Sequence, residues 1–339
     1  MSKQRKLSYL FSIFWVAILF AAIMGAVATG VINSYYSGIL VLIGINIILA
    51  VSLNLVTGFL GQLVLGHAGF MSVGAYSAAL FTMHAGLPIS VAFPLGLIFG
   101  GLVAAIFGVI IGVPALRLRG DYLAIITLGF GEIIRVLVLA VDFTGGAAGL
   151  TGIPYIEGKY TLIIYTFFIA FLTVVAILAF IRSRHGRAVI AIREDEIAAE
   201  ASGINTTYYK LLAFVVAAFF AGVAGGIYAH YIGVLDPSKF DFNYSVEILI
   251  MVVLGGMGSI TGSVCSATVL TLLPEMLRSF ADKRMLIYSL VLIIVMLFKP
   301  TGLLGTREFS VRKIVGKLFK EKKKDTGTPP AGGAPGKEA

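Results

Sequence analysis

Long apolar stretches fill most of this sequence, and they limit what the chain can fold into. Several of them exceed the roughly 18 residues that a helix needs to cross a bilayer. Apolar residues make up 58% of the chain and charged residues only 13%, against about 45–50% and 25% in soluble domains. Since lipid offers no partners to exposed backbone groups, the spanning segments are expected to be helical. The sequence therefore predicts an all-α, polytopic transmembrane helical bundle.

We predict about ten crossings. Their approximate bounds are residues 7–30, 38–57, 62–84, 88–113, 122–141, 160–181, 211–232, 242–257, 260–277 and 285–298. Basic residues precede the first crossing and follow the fourth, sixth and tenth, so they fall on one side if every crossing is real. They are Lys3, Arg5, Lys6, Arg117, Arg119, the arginines of residues 182–205 and Lys299. The other side has no basic excess, so the positive-inside rule places both termini in the cytoplasm.

The composition divides the chain into three parts. Residues 1–37 are predicted to hold an N-terminal cytoplasmic segment and the first transmembrane helix, and residues 38–305 the transmembrane core. The first apolar region is about 20 residues long, above the 7–15 of a secretory signal, so we expect an uncleaved anchor. Residues 306–339 form a basic cytoplasmic tail, predicted to be disordered because it is poor in apolar residues.

Several other classes of protein fit the sequence poorly. The net charge of +9 is concentrated at membrane edges and in the tail, where lipid headgroups explain it better than nucleic acid does. The single cysteine, Cys265, excludes an intramolecular disulfide. No metal-ligand spacing surrounds His67, and no nucleophile–base pattern indicates an intramembrane enzyme. Residues 332–337 superficially resemble a phosphate loop but lack the Ser or Thr that should follow Lys337, so we expect no ATP site here.

A charged segment, residues 182–205, interrupts the apolar chain. Four arginines and a histidine lead into the acidic cluster formed by Glu194, Asp195, Glu196 and Glu200. A chain that buries nearly everything in lipid, yet keeps one long, patterned, charged segment, is expected to present it to a soluble partner.

A short helix is predicted inside this segment. Asp195 is a suitable N-cap, and Glu196 in the first turn suits the positive end of the helix dipole. Gly203 fits the left-handed position that ends a helix. The helix would have about two turns, with an apolar side formed by Ile197, Ala198 and Ala201. Because such a helix is marginal alone, we expect docking to hold it; a solvated connector is the alternative.

Several segments in the same order resemble one family. Residues 186–204 resemble the EAA-type coupling loop of ATP-binding-cassette (ABC) importer permeases. Further stretches resemble LivM-type branched-chain amino acid permeases; they are residues 54–58, 61–70, 120–135, 149–154, 255–259 and 300–305. The likeness covers about residues 38–305. Two residues depart from the family pattern: Val64, where a small polar residue is expected, and Cys265, where glycine is expected.

The resemblance implies a permease subunit of an importer for branched-chain or other apolar amino acids, in a bacterial inner membrane. It implies two ATP-binding subunits, a second permease subunit that is usually a related chain, and a soluble substrate-binding protein. ATP and Mg would bind to the partner subunits, and this chain would bind no cofactor and catalyse no reaction. The coupling loop would span residues 182–209, with contacts to the ATPase from Arg193, Glu194, Asp195, Glu196, Ala199, Glu200 and Gly203. The alternatives are an ATP-independent secondary transporter or channel, and an importer of this fold for urea, amides or sugars.

Polar residues and glycines at membrane depth are candidates for the translocation pathway: Asn54, Gln62, His67, Thr127, Glu132, Gly255, Gly256 and Gly258. For the polar side chains, helix–helix hydrogen bonding is the alternative, and Glu132 could instead pair with Arg135. The glycine-rich stretches at residues 58–62 and 255–259 form a weak internal echo typical of duplicated transporter halves, although abundant glycine alone could explain it. Glu247 is expected to cap the eighth crossing at its start.

Overall fold

The computed structural model describes residues 34–118, 120–156 and 160–277, together with residues 289, 290, 293, 297–299 and 302. The predicted first crossing, most of the tenth and the C-terminal tail lie outside the described residues. Ten α-helices follow one another in the described part: α1 (Ser34–Asn54), α2 (His67–His84), α3 (Ile89–Ala115), α4 (Asp121–Ala140), α5 (Thr161–Arg182), α6 (Arg184–Glu194), α7 (Glu196–Ala201), α8 (Thr206–Ile232), α9 (Phe242–Gly255) and α10 (Ile260–Met276). A π-helical segment, Leu55–Phe59, continues α1.

Within the described residues, five helical segments are long and apolar enough to cross a membrane. They are Tyr35–Phe59, Ile89–Ala115, Asp121–Ala140, Thr161–Arg182 and Thr206–Ile232. They correspond to the predicted second, fourth, fifth, sixth and seventh crossings. The chain is therefore a multi-pass membrane protein, and its described part is helical as predicted.

Glycines allow α2, α3 and α8 to pack backbone against backbone. A Cβ added to Gly74 of α2 would lie 2.1 Å from the Cα of Gly222 in α8. A Cβ on Gly100 of α3 would lie 2.6 Å from the carbonyl oxygen of Gly74, and one on Gly225 would lie 2.0 Å from that of Met71. Since lipid tails are as apolar as leucine, close van der Waals contact between small residues holds such helices together. These three helices form one closely packed block.

The second block surrounds α1, which contacts α5, α8, α9 and α10. Ile45, Leu49 and Leu53 of α1 are fully buried. The helix is apolar on all sides, as expected for a helix enclosed by others. It ends in the π-helical segment, a wider form that is rare and often found at functional sites.

The two ends of α8 define the two ends of the bundle. With 27 residues, α8 is about 40 Å long and exceeds the roughly 30 Å hydrocarbon core. The first turns of α8 lie beside α7. Three residues after the end of α8, Leu235 exchanges backbone hydrogen bonds of 2.9 and 3.0 Å with Leu150. The charged segment and the Leu150–Leu235 bridge thus lie at opposite ends, the arrangement expected if they face opposite sides of a membrane.

Two predicted details differ from the structure. The helix of the third crossing begins at His67 rather than at Gln62, because residues 61–66 are irregular. The irregular segment starts at Gly61, whose φ is +77°, and its Leu65 amide donates to Thr127 Oγ1 on α4 at 3.1 Å. The prediction that Glu247 caps α9 is wrong. Asp241 is the N-cap, and its Oδ1 accepts a hydrogen bond from the Tyr244 amide at 3.0 Å.

Candidate coupling site

The charged segment forms two helices, and the first of them, α6, was not predicted. Ser183 caps α6, its Oγ accepting a hydrogen bond from the Gly186 amide at 3.2 Å. Val189 and Ile192 on its inner face are only 1% and 3% exposed. The helical spacing of these two apolar residues, together with the serine cap that precedes them, is the sequence signal that could have predicted α6. The surrounding charged residues suggested a loop instead. The longer segment is therefore mostly folded rather than a solvated connector.

The predicted short helix is present as α7. Asp195 is its N-cap as predicted, with Oδ1 accepting from the Ile197 amide at 2.9 Å and the Ala198 amide at 3.0 Å. Gly203 has the predicted left-handed conformation, with φ +82°, and its amide donates to the Glu200 carbonyl at 2.9 Å. Local sequence thus fixes both ends of α7.

The predicted apolar side of α7 points away from the rest of the chain. Ile197 is 73% exposed, and Ala198 and Ala201 beside it are also exposed. The residue that faces inward is Ala199, at 5% exposure. We call Ile197, Ala198 and Ala201 the exposed face of α7. Within this chain nothing described covers this apolar face, which leaves it free to contact another protein.

An ion pair that the sequence did not suggest ties α7 to α8. Lys210 Nζ lies 2.8 Å from Glu196 Oε1, and the two side chains are 5% and 21% exposed. The only available signal was a lone lysine near the start of an otherwise apolar helix. Because Lys210 is almost completely buried, Glu196 supplies the counter-charge that a buried ammonium group needs. A displacement of α7 therefore acts directly on α8.

Two glycine-rich junctions meet beside the charged segment. The first glycine junction is Gly58–Gln62, between α1 and α2; the second is Gly255–Ser259, between α9 and α10. A Cβ on Gly58 would lie only 2.3 Å from the backbone nitrogen of Gly258. The two stretches that echo each other in the sequence are therefore in contact in the fold.

The second glycine junction makes a sharp bend. Gly256 and Gly258 have φ values of +108° and +83°. A Cβ on Gly255 would lie 2.5 Å from the carbonyl of Gly262 across the bend, and one on Gly302 would lie 2.5 Å from Gly256. Side chains at these positions would force α9 and α10 apart.

Asn54, at the end of α1, ties that helix to the second glycine junction and to α10. Its Oδ1 accepts from the Gly258 amide at 2.9 Å, and its Nδ2 donates to the Ser259 carbonyl at 3.0 Å and to Ser263 Oγ at 2.9 Å. The side chain is fully buried. It thereby satisfies backbone groups that the bend leaves without helical partners.

Arg193, the penultimate residue of α6, reaches both junctions. Its Nη1 donates to the Gly58 carbonyl at 2.9 Å, while Nη2 and Nε donate to Glu194 Oε1 at 2.6 and 3.2 Å. A Cβ on Gly61 would lie 2.7 Å from Arg193 Cγ, and one on Gly258 would lie 3.1 Å from Nη1. The arginine lies across both junctions in space that these glycines leave open.

Comparisons with known proteins identify the family. Residues 35–299 match the family model of the permease component of branched-chain amino acid transport systems. The chain belongs to this family. The high-affinity branched-chain amino acid permease protein LivM of Salmonella typhimurium is 39% identical over 291 residues, covering 77% of this chain and 68% of LivM; LivM of Escherichia coli is 38% identical over the same shares. LivH of Escherichia coli is 35% identical over 143 residues, covering 41% of this chain and 46% of LivH. No solved structure matches the chain.

Three of the four polar pathway candidates other than Glu132 have side-chain hydrogen bonds within the described part of this permease. Besides Asn54, His67 Nε2 lies 2.9 Å from Ser52 Oγ, and Thr127 accepts from the Leu65 amide. These contacts between segments are the alternative that the sequence left open. Gln62 is half-buried within the first glycine junction. A role of these residues in the pathway stays a prediction.

Glu132 and Arg135 form the ion pair that their spacing predicted. Arg135 Nε lies 2.7 Å from Glu132 Oε2 on α4, and the side chains are 29% and 33% exposed. The pair therefore lies on a partly open face of the permease. Whether that face lines the pathway stays a prediction.

Asn54 offers a test of the contact between α1 and the second glycine junction. We expect Asn54→Leu to lower the unfolding free energy by about 1–3 kcal/mol for each buried polar group that it leaves without a partner. Leucine keeps a similar volume, so a cavity contributes little. Asn243→Leu is the control, because Asn243 is exposed and bonds only to Asp241 Oδ2 among the hydrogen bonds described. Thermal unfolding of the two variants in detergent measures the difference; equal transition temperatures would contradict the assignment.

Proposed function

We propose that this chain is the membrane-spanning permease subunit of an ABC importer for branched-chain, or other apolar, amino acids. Membership in the permease family supports the class of function. The observation that carries the mechanism is the exposed face of α7, a capped helix that presents apolar surface outward. It is held from inside by Ala199 and by the Glu196–Lys210 pair.

In this mechanism two ATP-binding subunits dock on the coupling helices of the two permease subunits, and in this chain the docking site is the charged segment. They bind ATP and Mg, while this chain binds neither and catalyses no reaction. The contact is formed by Glu200 and the exposed face of α7, with Arg193, Glu194, Asp195, Glu196, Ala199 and Gly203 setting its position. Closure of the ATP-binding subunits moves α7, and the Glu196–Lys210 pair passes that movement to α8. The helices then rock and alternate access to the pathway.

The remaining components follow from the family. A second permease subunit, a LivH-like related chain rather than a second copy, completes the pathway, and a soluble binding protein delivers the amino acid. The chain crosses a bacterial inner membrane about ten times, with both termini and the charged segment in the cytoplasm. Residues 38–305 form the permease core, between an N-terminal anchor and a basic tail at residues 306–339.

A transporter or channel that works without ATP is the rival function. A transporter of that kind needs no docking surface for an ATPase. It therefore does not explain a capped helix with an exposed apolar face directly after α6. The position of α7, joined by a buried ion pair to a helix that spans the bundle, favours an importer driven by an external ATPase.

The exposed face of α7 provides the test. We expect Ile197→Asp to remove ATP-binding subunits from the permease in a pull-down of the co-expressed importer, and to reduce ATP-dependent amino acid uptake at least roughly tenfold in proteoliposomes. The reason is that a carboxylate would be desolvated in an apolar contact. Ile197 is 73% exposed in this chain, so the substitution leaves its fold intact.

Tyr155→Asp is the matched control, because Tyr155 is 75% exposed and lies near the Leu150–Leu235 bridge at the opposite end of the bundle. It should retain the ATP-binding subunits fully. Uptake by the unmodified importer without any nucleotide, or an ATPase that still binds Ile197→Asp normally, would refute the proposed function.

A further inference from the structure

We infer that Arg193 is the positioning residue that transmits movement of α7 to the inner ends of the pathway helices. The inference rests on the proposed function and adds to it a specific route within this chain. Docking on α7 explains how an ATPase holds the permease. It does not explain how the helices that open and close are moved, because α7 itself contacts neither glycine junction through any described hydrogen bond.

Arg193 is placed to make that connection. It directly precedes Glu194 and the N-cap Asp195, so its backbone moves with the start of α7. Its guanidinium is anchored on one side by Glu194 Oε1 and on the other by the Gly58 carbonyl. A charge-assisted hydrogen bond of 2.9 Å to a backbone carbonyl is short and directional. Moving the start of α7 must therefore either move Gly58 or break this bond.

The three glycines around Arg193 explain why the side chain fits. Gly61 and Gly258 both have positive φ values, +77° and +83°, and each would push a Cβ against the arginine. Gly58 leaves the room in which the first junction approaches the second. The arginine side chain, 32% of which is exposed, thus contacts both junctions at once, which links their separation to the position of Arg193.

Each junction links two helices that pass through the core. The first joins α1 to α2, and the second joins α9 to α10, while Asn54 of α1 hydrogen-bonds to the second junction. The π-helical segment Leu55–Phe59 leads into the first junction, and its buried Thr57 hydroxyl has no hydrogen-bond partner among the described residues. A buried hydroxyl without a partner destabilises this arrangement. The chain that leads into the first junction is therefore not held by every hydrogen bond it could make.

The test compares transport with ATP hydrolysis in the complete importer, reconstituted in proteoliposomes with its ATP-binding subunits, second permease and binding protein. We expect Arg193→Gln to lower the number of amino acids transported per ATP hydrolysed by roughly tenfold, the typical size of a coupling between two sites. Arg193→Lys retains one cationic donor for the Gly58 carbonyl and should recover part of the ratio. Arg117→Gln is the control and should leave the ratio unchanged, because Arg117 is exposed, follows the end of α3 and lies outside the charged segment.

Hydrogen exchange of the same importer gives a second measurement that does not need transport. On adding a non-hydrolysable ATP analogue, exchange should change in the unmodified importer both at α7 and at the two glycine junctions. In Arg193→Gln, or in Arg193→Lys if the first variant does not assemble, the response at α7 should persist and the response at the junctions should shrink or vanish.

The outcomes separate the two proposals. If the unmodified importer takes up amino acids without ATP, the proposed function is refuted and the inference falls with it. If uptake is ATP-driven and Arg193→Gln keeps the normal ratio and the normal junction response, only the role of Arg193 is refuted. A variant that lowers assembly, hydrolysis and uptake in equal proportion, with an intact junction response, also overturns the inference, since that result indicates a purely structural residue.

Discussion

Replacing Gly74 by alanine is expected to destabilise the permease by about 3 kcal/mol or more, at or above the upper end of the usual cost of overpacking. The added methyl would lie 2.1 Å from the Cα and 2.3 Å from the carbonyl oxygen of Gly222. Both are backbone atoms in the middle of α8, so no rotamer change can relieve the contact. The helices α2 and α8 would have to separate, with loss of contacts along both. Thermal unfolding in detergent and the yield of folded protein measure the effect.

Gly129→Ala is the control for this prediction. Gly129 is also a glycine inside a transmembrane helix, α4, but no atom lies within 4 Å of an added Cβ. Alanine should be neutral there, or stabilise the helix by up to about 1 kcal/mol. If both variants unfold at the same temperature as the unmodified protein, close glycine contact is not what holds α2 to α8.

Replacing Glu196 by glutamine is expected to release α7 from α8. Lys210 is 5% exposed and Glu196 is 21% exposed, so the substitution leaves a buried ammonium without a counter-charge. Breaking such a pair costs about 3–5 kcal/mol when it is fully buried, and the partial exposure of Glu196 places the expected cost at the lower end. Hydrogen exchange of the amides of residues 196–204 should accelerate, by up to roughly a hundredfold if the full cost falls on this segment.

Glu200→Gln separates this effect from a general loss of negative charge. Glu200 is on the same helix and is exposed, so the substitution should change exchange very little. Lys210→Met is a second check, because methionine keeps the apolar stem and removes the buried charge; it should be milder than Glu196→Gln. Equal exchange in Glu196→Gln and the unmodified chain would show that the pair does not hold α7 in place.

The sequence predicted what depends on local physics. Long apolar runs gave the five long helices, because hydropathy over about 20 residues decides membrane insertion. Asp195 and Gly203 marked the ends of α7, because a cap needs only a side chain and a neighbouring amide. The i, i+3 spacing of Glu132 and Arg135 predicted their ion pair for the same reason. In each case the interacting groups are within a few residues of each other.

Contacts between distant residues could not be predicted from one sequence. Arg193 and Gly58 are 135 residues apart, and nothing near either residue indicates the other. The two glycine-rich stretches were recognised as an echo in the sequence, but not as partners that touch. Lys210 was overlooked because a single lysine in an apolar helix also fits a side chain extending to the membrane surface. Helix α6 was missed because the charged residues on its outer face suggested a loop, although Val189 and Ile192 on its inner face are buried.

The block formed by α2, α3 and α8 also has a practical use. Backbones in direct contact cannot slide or tilt against each other without collision, so distances within this block should stay constant throughout the transport cycle. Spin labels on lipid-facing positions of α3 and α8 would then report one invariant separation. That separation provides an internal ruler, against which displacements of α1, α9 and α10 can be measured in each nucleotide state.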